Sequence, residues 1–328
     1  MLRKTGMKRL LHHGVTRKLL GAIGTLLGVA VFVFVMLRAI PGDQITAGLG
    51  TEAAALTPQQ RADLEAYYGL DKPLLVQFFT WLGNIFTGNL GWSSRQQASV
   101  LDMTLEALPV TFELAVFSIL VALLIGIPLG MLSASKPDSI RDGFAQSVGL
   151  AGLSIPTFLM ASFFLAWFSK EFGWNPNGKN FAHFTDDPLL NLEQMLLPAL
   201  MLGFSIAAPI MRTTRTAVLE VRHHDFIRTA RAKGVPPRRL QVKHVLRNAM
   251  VPIVTMTGLQ FGYLLGGAVV IEQIFSLPGL GRQVLLGINQ KEYAVVQSTV
   301  LVIALAFVLV NLATDLLYRL IDPRVRAE

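Results

Sequence analysis

The sequence predicts an all-α integral membrane protein with about six transmembrane helices, and three observations carry that prediction. Hydrophobic residues fill 52% of the 328 positions and charged residues only 15%, too apolar a balance for an ordinary water-soluble domain and a length that allows several spans. Apolar runs long enough to cross a bilayer recur along the chain, separated by polar stretches. The basic residues crowd alternate polar stretches, which is how helical membrane proteins encode orientation. That alternation also accounts for the net charge of +8. A nucleic-acid binder would interleave its basic residues with aromatic stacking positions, and this chain does not. With no cysteine there is no disulfide framework, thiolate metal site or cysteine nucleophile.

Residues 1–18 form a basic tail carrying Arg3, Lys4, Lys8, Arg9, Arg17 and Lys18 without an acid. The apolar run Leu19 to Leu37 follows. A cleavable secretory core is about 7–15 residues long and ends at small residues; this run is of spanning length and enters Arg38-Ala39-Ile40-Pro41-Gly42, so it reads as an uncleaved first span. His12-His13 is no metal pair, because adjacent residues point to different helix faces and no third ligand lies near.

Residues 38–107 leave the membrane as an external elaboration holding two helix signals. Thr57 with Gln60 makes a capping box, Pro58 sits at the first helical position and Gly69 closes the helix. From Pro73 to Phe86, Leu74, Phe78, Leu82 and Ile85 share one face with Leu75, Phe79 and Phe86 beside them. That face suits either the membrane surface or the flank of the spans.

The second span is Val110 to Leu132, interrupted by Pro128, and the third is Phe144 to Phe168, interrupted by Pro156; a short loop with Lys136 and Arg141 joins them. Ser154, Pro156 and Thr157 place a break and hydroxyls at membrane depth, either lining a path or making a kink filled by neighbours. Between Lys170 and Glu193, GWNPNGK falls short of a phosphate-binding loop, since Asn180 stands where a magnesium-binding Ser or Thr is needed and no strand precedes it. His183, Asp186 and Asp187 read as an exposed polar loop rather than a metal site. The fourth span is Met195 to Met211. The fifth, Val251 to Ile271, carries Gly258, Gly262, Gly266 and Gly267, which permit close helix contact. The sixth, Val295 to Leu320, carries Asn311 and Asp315.

Between the fourth and fifth spans lies the most charged stretch, the loop 212–250. A helix is expected over Leu219 to Lys233, with Phe226 and Ala230 on one face and Ile227 and Arg231 on another. Gly234 then stops it, because glycine takes the left-handed conformation freely and Pro236-Pro237 cannot continue the hydrogen bonding. A second helix starts near Pro237, with Val242, Val245, Leu246 and Ala249 at amphipathic spacing and Arg238, Arg239, Lys243 and Arg247 elsewhere around it. Such an element set between two spans reads as a docking surface.

The order RTARAKG, basic helix, NAMVP resembles the cytoplasmic loop of ABC importer membrane subunits, in the form found in bacterial dipeptide and oligopeptide permeases. The family pattern is Glu-Ala-Ala, three residues, Gly, and later an aliphatic-Pro pair. Here Arg228, Thr229 and Ala230 occupy the leading positions, two of them departing from the pattern, Gly234 is the glycine and Val251-Pro252 the terminal pair. GNLGWSSRQQASVLDMTLEALPVTFELA, IEQIFSLPGLGRQ, KEYAVV and LIDPRVR are similar to the corresponding stretches of the same permeases; only the basic amino-terminal extension is unusual. The resemblance implies a type I ABC importer permease fold and a coupling helix made of Asp225, Phe226, Arg228, Thr229, Ala230, Arg231, Ala232, Lys233 and Gly234 that docks on a cytoplasmic ATPase. It further implies a second, homologous but different permease subunit, two ATPase subunits that bind ATP and magnesium in place of this chain, an external solute-binding protein, and short peptides as cargo. Relatives of that type carry nickel complexes, glutathione or opines.

The residues themselves agree with a non-catalytic transport subunit with no nucleic-acid partner, and the resemblance implies a bacterial inner membrane. The chain has no complete phosphate-binding loop and no nucleophile-base or metal constellation. An ion-coupled secondary transporter would place ionisable groups near the middle of several spans, whereas Glu113 and Asp315 lie near span ends and no internal repeat is visible. An intramembrane enzyme or passive scaffold leaves the Arg228 to Gly234 pattern unexplained. Ser154, Gln260, Asn311 and Asp315 are candidates for a translocation path, with interhelical hydrogen bonding as the competing role of each.

The charge alternation places both termini in the cytoplasm, with Asp43, Asp63, Glu65, Asp186 and Asp187 on the opposite side. Cysteines introduced at Ser94 and Thr185 should therefore react with an impermeant thiol reagent in intact cells, and cysteines at Thr5 and Ala327 should not; labelling of the termini would reverse the orientation.

Overall fold

In lipid a backbone has no water to bond, so an apolar run satisfies its amides internally by becoming a helix. The computed structural model describes the backbone of residues 3–39, 45, 50–67 and 69–321, and their side chains except 3–17, 50–52, 67, 177, 267, 315 and 317–321. Among the described residues, five helices are long and apolar enough to cross a membrane: Lys18–Ala39, Val100–Ser135, Pro188–Arg222, Pro237–Gly266 and Tyr293–Thr314. The bent pair Ile140–Ser154 and Thr157–Phe172 makes a sixth crossing when counted as one span. The chain divides into two compact units, one of residues 1–107 and 283–308 and the other of 108–282 and 309–328.

In the first unit, helix α1 (Arg3–Ala39) includes the basic tail, whose backbone is helical from Arg3 onward and continuous with the first span. Helix α2 (Pro58–Tyr67) forms as its capping box predicts: the Gln60 side chain accepts from Thr57 N at 2.9 Å, and Thr57 Oγ1 accepts from Gln60 N at 3.3 Å. Gly69 then takes φ +67°. Helix α3 (Leu74–Phe86) divides its apolar face between the two sequence readings. Phe78 and Trp81 lie against Phe34 of α1, with ring centroids 5.2 and 6.0 Å away, while Leu75, Phe79 and Phe86 stay exposed. A short hairpin of β1 (Trp92–Ser93) and β2 (Ala98–Ser99) follows. It is fastened by the buried Glu292, whose carboxylate accepts from Ser93 Oγ at 2.8 and 3.0 Å and from Arg95 N at 3.0 Å.

The second unit is built around helix α7 (Pro188–Arg222). It is the central helix, since 72% of its most apolar window is buried against at most 39% for the other spanning helices. Helix α4 (Val100–Ser135) meets it through glycines: a Cβ on Gly203 or on Gly130 would land 2.6 Å from Val121 or from the Met211 carbonyl, respectively. Helix α5 (Ile140–Ser154) lies along α7 as well.

The expected third span, Phe144 to Phe168, is not one helix. It breaks between α5 and α6 (Thr157–Phe172) with a bend of 92°. Pro156 has no amide to donate and crowds the residue before it out of the helical region, and Ile155 is accordingly extended at φ −86°, ψ 119°.

The fifth span also ends earlier than expected. Its helix ends at Gly267, and Val269–Ile274 forms a separate short helix that presents Glu272 inward with no exposed surface. One Glu272 oxygen accepts from Thr111 Oγ1 at 2.7 Å and the other from Arg282 N at 2.9 Å, while Thr111 Oγ1 itself accepts from Leu280 N at 2.8 Å. Burial pushes the Glu272 carboxyl above its ordinary range, opposed by the Arg282 amide and the Thr111 hydroxyl. The Pro278-Gly279-Leu280-Gly281 turn closes over this carboxylate because Gly279 bears no side chain; a Cβ there would sit 2.4 Å from it.

One hydroxyl thus joins α4 to the turn after the fifth span. Thr111→Val keeps the shape and strands a buried carboxylate oxygen and the Leu280 amide, at a cost of about 1–3 kcal/mol. The thermal midpoint of the purified protein should fall with Thr111→Val and recover with Thr111→Ser; equal midpoints for all three proteins would show that the hydroxyl holds nothing.

Candidate functional site

The basic segment between the fourth and fifth spans is positioned by where α7 stops. It does not run on as one helix from Leu219 to Lys233. The amides of His223 and His224 bond back three residues, to Glu220 O and Val221 O, and His224 turns extended at φ −68°, ψ 144° before helix α8 (Asp225–Ala232) begins. The first part of the loop 212–250 is therefore a continuation of α7.

The change of direction at His223-His224 turns Ile227 inward until it is 1% exposed. Ala230, one turn on, is half-buried against the same apolar cluster. The inward pair is thus Ile227 with Ala230, at a spacing of three, instead of the four-residue pairs expected. Asp225, Phe226, Arg228, Thr229, Arg231, Ala232 and Lys233 all stay exposed. A face with an aromatic ring, two guanidiniums and an ammonium is thereby presented outward.

Gly234 ends α8 as the sequence predicts, with φ +73°. Gly234 N bonds to Arg231 O at 3.0 Å and Val235 N to Ala230 O at 3.2 Å, the paired bonds of a left-handed helix cap. Pro237 then occupies the first position of α9 (Pro237–Arg239), which continues through a π-helical stretch, Leu240–Leu246, into α10 (Arg247–Gly267). The wider π turn changes which side chains face inward. Leu240 and Val245, five residues apart, are buried, followed at spacings of four by Ala249 and Ile253. Val242, expected on the apolar face, is 53% exposed.

These inward residues meet Ala134 of α4 and Ala217 and Val218 of α7 in one cluster around Ile227. Burying a side chain of this size contributes about 1.5–3 kcal/mol. Polar bonds fasten the neighbouring chain. Asp142, 1% exposed, accepts from Arg215 at 2.9 and 3.2 Å, from Ser133 Oγ at 2.5 Å and from Gln146 at 2.8 Å. Arg222 donates to the carbonyls of Ala134 and Ser135. The α4–α5 turn is tied to α7 in this way. Asp142 escaped the sequence reading, although Ser139 three residues earlier, which caps α5 by accepting from Asp142 N, supplied a local signal.

The path candidates are not brought into one site. Ser154 ends α5 at the 92° break and is exposed. Gln260 on α10 and Asn311 on helix α11 (Tyr293–Ile321) are half-buried, on helices that approach closely where Gly258 faces Thr314. The Asp315 side chain lies outside the described residues. In the Lys170 to Glu193 stretch, Asp187 caps α7 by accepting from Leu190 N at 3.1 Å, and Gln194 holds the Pro176–Gly178 turn through bonds at the Pro176 and Asn180 carbonyls. Among the described residues no group of three or more His, Asp or Glu is arranged to hold a metal.

Comparison with known proteins supplies the family context. Residues 126–327 match the family described as binding-protein-dependent transport system inner membrane component, and residues 11–115 match the description of the amino-terminal part of such membrane components. A glutathione transport system permease protein of Pectobacterium atrosepticum is 40% identical over 314 residues, covering 94% of this chain and 97% of that one. A di/tripeptide transport system permease protein of Pseudomonas aeruginosa is 38% identical, covering 95% and 98%. A dipeptide transport system permease protein of Alkalihalophilus pseudofirmus is 37% identical, covering 94% and 98%.

Proposed function

Because the chain belongs to the family of binding-protein-dependent transport system inner membrane components, in which it is an ABC importer permease of the peptide type, we propose that it forms one half of the transmembrane path for short peptides. The relatives named for dipeptides, di/tripeptides and glutathione point to this cargo, since glutathione is itself a tripeptide. In this reading the other half is a homologous permease subunit, an external solute-binding protein delivers the peptide, and two ATPase subunits carrying ATP and magnesium sit on the cytoplasmic side of the bacterial inner membrane. The chain contributes no catalytic step.

The observation that carries the reading is the construction of α8. Its inner face is buried in a cluster shared with α4, α7 and α10, and its outer face is free. A load applied to the outer face by a docked ATPase is passed to three spans at once. Asp225, Phe226, Arg228, Thr229, Arg231, Ala232 and Lys233 are the docking face, Ala230 supports it from beneath, and Gly234 sets the angle at which the chain leaves. Gln260 and Asn311 are the path candidates best placed to line a passage, on adjoining helices.

Gly234→Val isolates the coupling step. A Cβ at this position meets nothing within 4 Å, so the penalty comes from the left-handed backbone alone, about 1–2 kcal/mol, or roughly tenfold in the population of the correctly bent loop. The variant complex should insert normally yet lose most of the stimulation of ATP hydrolysis by loaded binding protein, and uptake with it. Full stimulation and uptake in reconstituted vesicles would remove the coupling role from this loop.

A further inference from the structure

We propose that the ATPase surface receiving α8 is acidic and that one of its carboxylate side chains seats in a cationic pit beside this helix, an inference that rests on the docking role proposed above. The pit has a volume of about 370 Å³. Pro137, Leu219 and Ile227 form its apolar walls, and Arg222, His223, Arg228 and Arg231 surround them; no carboxylate is among the lining residues. From Arg222 to Lys233 the chain carries four cationic side chains, Arg222, Arg228, Arg231 and Lys233, against the single acid Asp225.

The three guanidiniums are not equivalent. Arg222 is held in place by its bonds to the Ala134 and Ser135 carbonyls and fixes positive charge at the inner end. Among the described residues Arg228 pairs only with Asp225, at 3.5 Å with both side chains largely exposed, a pairing worth little in water and easily exchanged. Arg231 has no anionic partner among the described residues, and it shares the pit with Arg222 and Arg228, its charge acting against that of Arg222. Water screens this crowding while the face is free. Docking removes the water, and an unpaired guanidinium under a protein surface is costly. A neutral or basic groove would be rejected on that ground, whereas a carboxylate satisfies the planar fork of Arg231 with two parallel hydrogen bonds.

The test uses the complete complex of permeases and ATPases in lipid nanodiscs. Arg231→Lys places an amine in the pit, and a water-soluble carbodiimide condenses that amine with a touching carboxylate, forming an amide as the reagent takes up the water and becomes a urea. Mass spectrometry should then find position 231 joined to an Asp or Glu of the ATPase. In parallel, Arg228→Glu with Arg231→Glu should cut ATPase retention by about tenfold or more, the loss expected when charge pairs become like-charge contacts, with the two permeases recovered in normal yield. Wild-type retention in the double variant, or ATPase retained with no link from position 231, overturns the acidic groove and leaves docking intact. Retention that fails only in discs of neutral lipid assigns the pit to an anionic headgroup and overturns the proposal. An ATPase that does not stay with the wild-type complex at low salt removes the docking reading beneath it.

Discussion

Everything on the docking side of the second unit depends on Ile227 being buried. Lipid gives transmembrane helices little hydrophobic reason to hold one another, since lipid tails are as apolar as the side chains. Where the chain leaves lipid for water, the hydrophobic effect returns, and the cluster of Ala134, Ala217, Val218, Ile227, Leu240, Val245, Ala249 and Ile253 uses it to join three spans to a short helix. Close approach of α4 and α7 at Gly130 and the Asp142–Arg215 pair make the base of that cluster stiff. A helix of eight residues is marginal alone; α8 persists because its inward face has somewhere to go and Gly234 closes its last carbonyls.

The same economy of fastening recurs with two buried glutamates, each within its own unit. Glu272 gathers Thr111, Arg282 and the glycine-rich turn. Glu292 gathers Ser93, Ser94 and Arg95. In both, the carboxyl oxygens accept hydrogen bonds from a backbone amide and from hydroxyls. Both also connect segments far apart in sequence, which local helix propensity cannot do.

What was legible in the sequence were features written within one or two turns of chain: the spanning runs, the Thr57/Gln60 box, the Gly234 stop and the start at Pro237. What escaped depended on partners or on geometry that a regular helix hides. The break at His223-His224 has no Gly or Pro to announce it. The inward placement of Leu240 and Val245 follows a spacing of five, which a 3.6-residue template assigns to different faces, so Val242, expected inside, is exposed instead. Pro156 was visible as an interruption, but a bend of 92° is more than a proline alone prescribes. Nothing close in sequence to Asp142 and Glu272 points to Arg215 and Thr111, their partners 73 and 161 residues away.

Joined by the buried cluster, α8 and the end of α7 should move as one body. The chain has no native cysteine, so cysteines placed at the exposed Arg212 and Thr229 can carry the only spin labels on this subunit. The distance between them, measured by electron double resonance in the nucleotide-free complex and again with ATP trapped, should keep the same distribution. A distribution that shifts or splits when ATP is trapped would mean that α8 swings on the His223-His224 bend, and the buried cluster would then not be what carries the motion to the spans.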